Sequence, residues 1–583
     1  MIKRTPAYTL CVLIQLFLAC LFAGAQTTGL KQHPNEASFG QLVDRYFDFY
    51  FQTNPTAATQ TGFHQYDTKL EDYSRSAVDA EVTGLTKFRE EFGKIQRSTL
   101  SEISAGDLDV LTSTIDSRLL ELQNIQMWKK DPDTYPSSVS YSVFLVMRRN
   151  FAPLNERLRS VIARERQIPQ ALEAARQNLH DPPRVYTEVA LQQLPDTIKF
   201  FQNDVPSVFR EVKDSKLQSE FKTSNDSVVK ALKTYRKFLQ EVLLPASHGD
   251  FRLGAENFSK KLLYDEMIDI PLDHMLEVGY ADLRRNQAQL KTLCAQMDPQ
   301  RSPAEILADL RKDHPPADQL MQTFRDTLGG LRQFIEQKKI ITLPSKVPPI
   351  VEETPPFQRA LTTAAMDTPG AYETKSTEAM FYVTLPEPGW KPEKVEEWMQ
   401  GFNHGTIAST AIHEVYPGHY TQFLWLQAAP SKTRKILYNN SNAEGWAHYS
   451  EQMMLDEGYG GGDPKLRLGQ LLDALLRDAR FIVGIQMHTG KMTLEQGQAF
   501  FMNEGFQVAP IAEVEARRGT SDPTYLYYTL GKLQIYKLRE DYRKLQGSAF
   551  TLQGFHDEFV KQGSIPIKLI RRILLRGDSG DSL

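Results

Sequence analysis

Cysteine is nearly absent from this chain of 583 residues, which contains only three. Two of them, Cys11 and Cys20, lie in an apolar N-terminal segment, and Cys294 is the single cysteine beyond it. One cysteine cannot form an intrachain disulfide, so stability must come from the hydrophobic core, which is feasible at this length. The same scarcity excludes metal sites built from cysteine thiolates.

An excess of charge of either sign is also missing. Lys and Arg together number 68 against 72 Asp and Glu, and the formal net charge is −4. Without a basic stripe or a strongly positive balance, we expect no binding to nucleic acid. Hydrophobic residues make up 41% of the chain and charged residues 24%, a composition typical of a globular protein.

Long apolar runs are confined to the N-terminus. Lys3 and Arg4 precede an apolar run from Tyr8 to Phe22, and Ala23-Gly24-Ala25 then has the small-x-small pattern of a cleavage site. We predict a signal peptide over residues 1–25 and export to the periplasm or the extracellular space. After cleavage, the sequence offers no stable membrane span.

Two alternatives for the N-terminus remain open. An uncleaved anchor is possible, but about 15 apolar residues are few for a span of about 20. Lipid attachment at Cys20 is the other, and Phe17 is a poor fit at the first position of a lipobox.

Strand-like alternation is scarce, and helical periodicity dominates from Ser38 to about Lys339. After Lys339 eight prolines interrupt the chain up to Trp390, which excludes long helices there. Within this stretch Ala379 to Leu385 is the best strand candidate, and helical texture resumes at Pro392. We therefore predict an N-terminal helical lobe over 26–340 and a catalytic lobe over 341–583, together forming one continuous domain. The helical segments with the clearest periodicity are Phe39–Phe51, Ala77–Ile95, Leu108–Trp128, Gln167–Leu179 and Asp226–Val242, and capping boxes begin at Ser302 and Thr493.

The strongest chemical signal is His413-Glu414-Val415-Tyr416-Pro417-Gly418-His419. Zinc hydrolases present two imidazoles and a general base through a His-Glu pair with a second histidine shortly after. The usual spacing is four residues, because residues i and i+4 share a helical face. Here the second histidine is six residues on, and in a regular helix it would point about 240° away from the first.

Pro417 and Gly418 resolve this conflict. Pro417 lacks the N–H that would bond to the carbonyl of His413, and its ring clashes with that carbonyl. Gly418 can adopt backbone angles closed to other residues. We expect the helix to break or bulge there and to return His419 to a metal shared with His413. The alternative is a simple Pro-Gly helix stop flanked by two ordinary histidines.

A candidate third ligand is Glu444, in Asn442-Ala443-Glu444-Gly445-Trp446-Ala447-His448-Tyr449. A His₂Glu set leaves one position for water, which is typical of catalytic zinc. We predict one Zn²⁺ per chain, held by His413, His419 and Glu444, although cobalt or manganese would also suit these ligands. A solvated helix face is the alternative for Glu444. His448 and Glu451 share its helical face and are candidate hydrogen-bond partners or rival ligands.

These motifs belong together in a known family. The sequence resembles the bacterial domain-of-unknown-function family 885, which is grouped with zincin-type metallopeptidases and has HExxPGH followed by EGWA. The resemblance runs from Tyr50 to Lys568. Tyr420 departs from it, because a second consecutive histidine is common there, and this favours His419 as the ligand. His448 stands where an apolar residue is usual. Supporting segments are Asn54–Ala58, the edge-strand motif Phe381–Pro386 and the tyrosine motif Tyr528–Gly531.

The resemblance implies a mainly α, zincin-like helical metallopeptidase with a small β-sheet beside an active-site cleft. Glu414 would accept a proton from water and pass it to the leaving amine. Tyr528, with His488 as the other candidate, would donate a hydrogen bond to the oxyanion, although both are also readable as buried structural residues. The strand Phe381–Leu385 would bind an extended peptide by strand addition, unless it is simply buried in the sheet.

The sequence therefore predicts an exported zinc-dependent peptidase that acts on short or unfolded peptides. One alternative is a zinc amidase or esterase with a non-peptide substrate. A second is a helical binding protein of the same fold without catalysis, which the intact set His413, Glu414, His419 and Glu444 argues against. The sequence leaves the oligomeric state and the choice between terminal and internal cleavage open.

Overall fold

The computed structural model describes residues 34–355, 359, 362–577, 580 and 582–583. The predicted signal peptide and Cys20 lie outside the described residues. The described chain is mainly helical, with 72% helix and a three-stranded sheet, as predicted. Within the described ranges, no helix combines the length and the apolar character that a membrane span requires.

The α-helices before the sheet are α1 Glu36–Thr53, α2 Pro55–Thr61, α3 Arg75–Gly93, α4 Glu102–Leu120, α5 Met127–Lys130, α6 Thr134–Arg148, α7 Leu154–Glu165, α8 Ile168–Asn178, α9 Arg184–Lys199, α10 Val205–Phe209, α11 Ser215–Phe238, α12 Gly254–Glu266, α13 Leu272–Met297, α14 Pro303–Lys312 and α15 Leu320–Lys338. The strands are β1 Ile350–Glu353, β2 Ala364–Asp367 and β3 Met380–Val383. The α-helices after the sheet are α16 Pro392–Met399, α17 His404–Glu414, α18 His419–Trp425, α19 Lys432–Ile436, α20 Asn440–Asp456, α21 Pro464–His488, α22 Leu494–Asn503, α23 Ala509–Ser521, α24 Tyr527–Gln546, α25 Leu552–Val560 and α26 Ile567–Leu574.

Shorter helical turns extend or connect these helices. The π-helical turns that continue α4, α9 and α11 are Glu121–Ile125, Phe200–Asp204 and Leu239–Leu243. The 3₁₀ turns are His64–Tyr66, Arg97–Thr99, Leu244–Ala246, Ala317–Gln319, Gln400–Phe402, Leu426–Ala428, Tyr459–Gly462 and Gly547–Ala549.

The helix-start signals in the sequence are confirmed. Ser302 and Thr493 each form a complete capping box with the residue at the third helical position, Glu305 or Gln496. The five periodic segments fall on α1, α3, α4, α8 and α11 and differ from them at the ends. The largest difference is in α11, which begins at Ser215, because the Asp214 side chain caps the amide of Leu217 there.

The sheet corrects one sequence prediction. Its strand order is β1-β3-β2, so β3, the strand predicted from Ala379 to Leu385, is central and not an edge. It pairs in parallel with β1 and antiparallel with β2, and Phe381 and Val383 are fully buried. Strand addition at β3 is therefore ruled out because both of its edges are occupied. Among the described residues, the unpaired edge next to the His-Glu motif belongs to β2.

Four hydrophobic cores hold the helices of the described chain together, and the smallest of them packs part of α21 against α22, α23 and the tyrosines that precede or begin α24. The first joins α1, α3 and α4 to α15, the sheet, α17, α20 and the last two helices, and Trp446 is its largest fully buried side chain. The second lies among α6 to α11. The third joins α12, α13 and α14 to α21 and the start of α24. Two of these cores contain residues from both sides of residue 340, and the lobe boundary placed there stays a prediction.

Candidate metal centre

The His-Glu motif sits at the end of α17. The side chain of Asn403 caps the start of this helix by accepting the amide of Thr406 at 3.0 Å. At the other end the amides of Val415 and Tyr416 both bond to the carbonyl of Ala411. The helix then stops at Glu414, and α18 begins at His419. The predicted break between the two histidines is confirmed.

The Pro-Gly pair shapes this break. The Tyr416–Pro417 peptide bond is cis, and the amide of Gly418 returns to the carbonyl of Ile412 at 3.0 Å. A Cβ atom on Gly418 would overlap the carbonyl of His413, so a side chain is excluded at this position. Trp446, fully buried on α20, donates its indole N–H to the carbonyl of Pro417 at 2.9 Å. The second motif therefore fastens the turn of the first.

Two glycines bring α20 and α24 into direct contact. A Cβ on Gly445 would collide with the backbone of Gly531, and a Cβ on Gly531 would collide with Gly445 and with the carbonyl of Ser441. Backbones approach this closely only where both side chains are hydrogen atoms. The crossing fixes Glu444, next to Gly445, and Tyr528, one turn before Gly531, on facing helices.

The three predicted metal ligands lie together. The Nε2 atoms of His413 and His419 are 3.3 and 3.4 Å from the same oxygen, Oε2 of Glu444. One donor atom from each residue lies within 4.8 Å of the others. Both histidines are buried, and Glu444 retains 19% side-chain exposure. The cluster therefore forms a small, mostly enclosed set of two imidazoles and one carboxylate.

The electrostatics of the cluster favour positive charge. Burial lowers the pKa of His413, but Glu444 and Glu451 outweigh burial and raise it to about 9. Burial acts to raise the pKa of Glu444, but the imidazoles of His419 and His413 outweigh burial. They hold the pKa of Glu444 well below its usual range. The space between the imidazoles and the carboxylates is thus a place where a cation or a proton is stabilised.

Glu414 lies beside the cluster without joining it. Its Oε2 accepts the backbone N–H of Met366, on β2, at 3.0 Å. Burial raises the pKa of Glu414, and the nearby imidazoles of His419 and His413 partly offset the rise. Its carboxylate is therefore held next to the predicted ligands and against the free edge of β2.

A fully buried carboxylate, Glu451, binds the ring nitrogen of His413 that faces away from Glu444. It accepts a hydrogen bond from Nδ1 of His413 at 2.6 Å and one from Nδ1 of His448 at 3.0 Å. The guanidinium of Arg477 lies 3.0 Å from it. Burial raises the pKa of Glu451, but Arg477 and His448 hold it below its usual range. An ionised Glu451 fixes the tautomer of His413 with Nε2 directed at Glu444.

Tyr528 lies next to His413, with the ring centres 6.4 Å apart and the ring planes inclined by 29°. The guanidiniums of Arg480 and Arg477 lie 4.9 and 5.6 Å from the centre of its ring. Its hydroxyl accepts a hydrogen bond from Arg518 at 3.5 Å. Burial and the charge of Glu444 raise the pKa of Tyr528, so the phenol keeps its proton and remains a donor at neutral pH.

Comparison with known proteins places this site in a family. Residues 55–574 match the family described as bacterial protein of unknown function (DUF885). The chain belongs to the DUF885 family. The match covers nearly the whole described chain, including both motifs, and confirms the resemblance that the sequence shows. A search of the curated proteins finds no match for this DUF885 chain.

Solved structures share the fold. A "putative lipoprotein of unknown function" from Shewanella oneidensis is 29% identical with a TM-score of 0.77, and the match covers 92% of this chain and 99% of that one. A "putative lipoprotein" from Colwellia psychrerythraea has the same TM-score of 0.77 at 17% identity, covering 93% and 98%. The second likeness, at this identity, concerns the fold alone.

The structure does not bring His488 to the cluster. It lies eleven residues beyond Arg477 along α21, which corresponds to roughly 16 Å along the helix axis. Its Nε2 bonds to the carbonyl of Gly519 at 2.7 Å, and its ring packs against Phe251 and Phe258. Burial lowers its pKa to about 4. The buried structural interpretation fits His488 better than a role in oxyanion binding.

Sequence reasoning missed several neighbours of the cluster. The amide of Met366 and the guanidinium of Arg477 come from segments whose proximity depends on tertiary packing, and no spacing in the sequence indicates them. Phe423, stacked on the ring of His419 at 5.4 Å, shares its helix face at i+4 and was detectable. Tyr438, 52% exposed, contacts Phe423 at 6.1 Å and continues this aromatic wall outwards.

Proposed function

We propose that this protein is a zincin-like, zinc-dependent peptidase whose metal is held by His413, His419 and Glu444. The observation that carries the proposal is the convergence of the two Nε2 atoms on one oxygen of Glu444, with Glu414 directly beside them. Two imidazoles and one carboxylate leave a coordination position open, as catalytic zinc requires.

The residues present fit a zinc ion. In a tetrahedral site with bonds of 2.0–2.1 Å, neighbouring donor atoms are about 3.3 Å apart. The two distances to Glu444, 3.3 and 3.4 Å, match this value, and all three donors lie within 4.8 Å. Glu451 supplies the carboxylate that zinc-binding histidines commonly have on their second nitrogen. A cation also matches the preference for positive charge at His413.

Each remaining residue then has a definite task. A divalent cation in this position supplies Lewis acidity, which activates water and polarises a peptide carbonyl. Glu414 takes the proton of the attacking water and delivers it to the departing amine. Tyr528 donates its hydroxyl hydrogen bond to the negative charge that develops on the carbonyl oxygen. His413 is kept in the required tautomer by Glu451.

The free edge of β2 favours a peptide over other amides or esters. The carbonyl of Thr363 accepts a hydrogen bond from the amide of Thr384, directly after β3, and the register then has alternate residues of β2, including Met366, direct their backbone groups away from the sheet. The amide of Met366 reaches Glu414, and this edge therefore runs past the cluster. An extended peptide can pair with it through its own backbone, a mode with little side-chain preference.

Peptide turnover by the zinc-loaded protein tests the proposal. We expect hydrolysis of short peptides by the parent, and a loss of at least about 100-fold in Glu414→Gln, because a general base contributes roughly 10²–10⁴-fold. Zinc content should stay near one ion per chain in both. Hydrolysis of ester or non-peptide amide substrates without peptide turnover would support the amidase or esterase alternative. Zinc binding without any turnover would support the binding protein.

We also propose that the chain is exported and anchored by lipid at Cys20. Both solved relatives are described as a "putative lipoprotein". In this chain Ala19 precedes Cys20 after an apolar run. This reverses the sequence expectation of cleavage near Gln26. Mass spectrometry of the mature N-terminus tests this proposal. A chain that begins with a lipidated Cys20 supports the anchor, and a chain that begins with an unmodified Gln26 contradicts it. Cys20→Ala should release the protein from membranes.

A further inference from the structure

Three guanidiniums surround Tyr528, and two of them are already neutralised by buried carboxylates. Arg477 pairs with Glu451, which is fully buried. Arg480 makes two bonds of 2.7 Å to Glu515 and is 7% exposed. Both are thereby committed to holding the site together and have little capacity for a ligand.

Arg518 differs from both. Its side chain is 37% exposed, although the rings of Tyr527 and Tyr528 beside it are buried. It bonds to Asp522 through Nε at 3.3 Å and Nη2 at 3.0 Å, and Nη2 also reaches the hydroxyls of Tyr527 and Tyr528. All four of these contacts use one side of the guanidinium, and none of them uses Nη1.

The position of Arg518 relative to the cluster limits what it can bind. Its Nη2 is 3.5 Å from the hydroxyl of Tyr528, whose ring is 6.4 Å from that of His413. An extended peptide advances about 3.3–3.6 Å per residue. The guanidinium is therefore within reach of a carboxylate one to three residues beyond a peptide bond held at the cluster.

We infer that Arg518 binds the terminal carboxylate of a peptide substrate, so that the protein releases residues from the carboxyl end. The inference rests on the proposed peptidase function and adds the substrate class and the direction of cleavage. A guanidinium is suited to this task because it stays charged and its planar donors match the two oxygens of a carboxylate. Tyr527 and Asp522 hold the guanidinium in place.

Matched peptides with a free acid or an amide at the carboxyl end test the inference. For the zinc-loaded parent we expect kcat/KM to be roughly 10- to 100-fold higher for the acid, the usual value of a charge-assisted hydrogen bond. Arg518→Gln should bring the ratio of kcat/KM for the acid to kcat/KM for the amide close to one, because KM rises more for the acid than for the amide. Arg518→Lys, which keeps the charge without the planar fork, should fall between them.

Arg517→Gln is the matched control. Arg517 is 34% exposed and pairs with Glu513 at 3.1 Å on the same helix. Its loss should therefore leave kcat/KM unchanged for both the acid and the amide. Equal rates for acid and amide in the parent would overturn the inference. So would a preference that follows an internal Asp or Glu in an amidated peptide, because the carboxylate would then be a side chain. If Arg518→Gln does not fold, the acid-to-amide preference of the parent and of Arg518→Lys still tests the inference.

Calorimetry separates failure of this inference from failure of the peptidase proposal. Acid and amide peptides are titrated into zinc-loaded Glu414→Gln, which binds without turnover. Preferential binding of the acid, lost in the double variant Glu414→Gln/Arg518→Gln, supports the carboxylate site even if the parent hydrolyses nothing. Equal binding of acid and amide overturns it even if the parent hydrolyses both.

Discussion

Replacing Glu451 by Gln is the sharpest perturbation of the cluster that leaves every proposed ligand in place. The substitution keeps the shape of the side chain and removes a charge that is fully buried and faces His413, His448 and Arg477 at 2.6, 3.0 and 3.0 Å. Losing the carboxylate that orients a zinc-binding histidine typically weakens metal affinity 10- to 100-fold. We expect a loss of that size in Glu451→Gln.

The same substitution also breaks a buried ion pair with Arg477, which costs about 3–5 kcal/mol of stability. A control must share this cost without touching a proposed ligand. Glu515→Gln does so, because Glu515 is 7% exposed and pairs with Arg480 through two bonds of 2.7 Å. Both variants should unfold at lower denaturant concentration than the parent by similar amounts.

The assay is competition for zinc between each folded variant and a chromophoric chelator of known affinity, at neutral pH. Zinc affinity should fall only in Glu451→Gln, and Glu515→Gln should match the parent. Equal zinc affinities in the two variants would refute the reasoning, since the bond between Glu451 and Nδ1 of His413 would then have no bearing on metal binding.

Two further predictions concern stability. Gly531→Ala should destabilise the protein by about 1–3 kcal/mol in urea unfolding, because its Cβ collides with the facing helix; Gly329→Ala, where the space is open, should stabilise by about 0.5–1 kcal/mol, and equal effects would contradict the close crossing. Burial lowers the pKa of His64, but hydrogen bonds to Asp67 and Glu373 outweigh it and raise the pKa above its ordinary value. The contribution of protonated His64 to the free energy of unfolding is thus complete below pH about 6.5 and is lost as the pH rises through the raised pKa. The advantage in stability of the parent over His64→Gln should shrink over that interval, and a constant difference would refute the assignment.

Much of the site was accessible from the sequence because its chemistry is encoded locally. The six-residue spacing of the two histidines is incompatible with a regular helix, and Pro417 and Gly418 supply the break that the spacing demands. The structure has that break, with α17 ending at Glu414 and α18 starting at His419. The helix starts at Ser302 and Thr493 were likewise readable from their capping boxes, whereas the cap that Asp214 forms on α11 was missed.

What failed depends on distances between segments remote in the chain. The strand at Phe381 has the composition of a strand, but composition does not say how many neighbours a strand has, and it proved central. His488 was assigned to the site by residue type, whereas its distance along α21 separates it from the cluster. The role of Trp446 in fastening Pro417 was hidden because a single motif gives no information on what its tryptophan contacts.

The location of bound zinc tests the central claim most directly. Crystals of the zinc-loaded protein, with diffraction collected on both sides of the zinc absorption edge, show where the ion sits. The account predicts one anomalous peak per chain at about 2.0–2.2 Å from Nε2 of His413, Nε2 of His419 and an oxygen of Glu444. A peak elsewhere, or no peak while these three side chains remain bonded to one another, would contradict it.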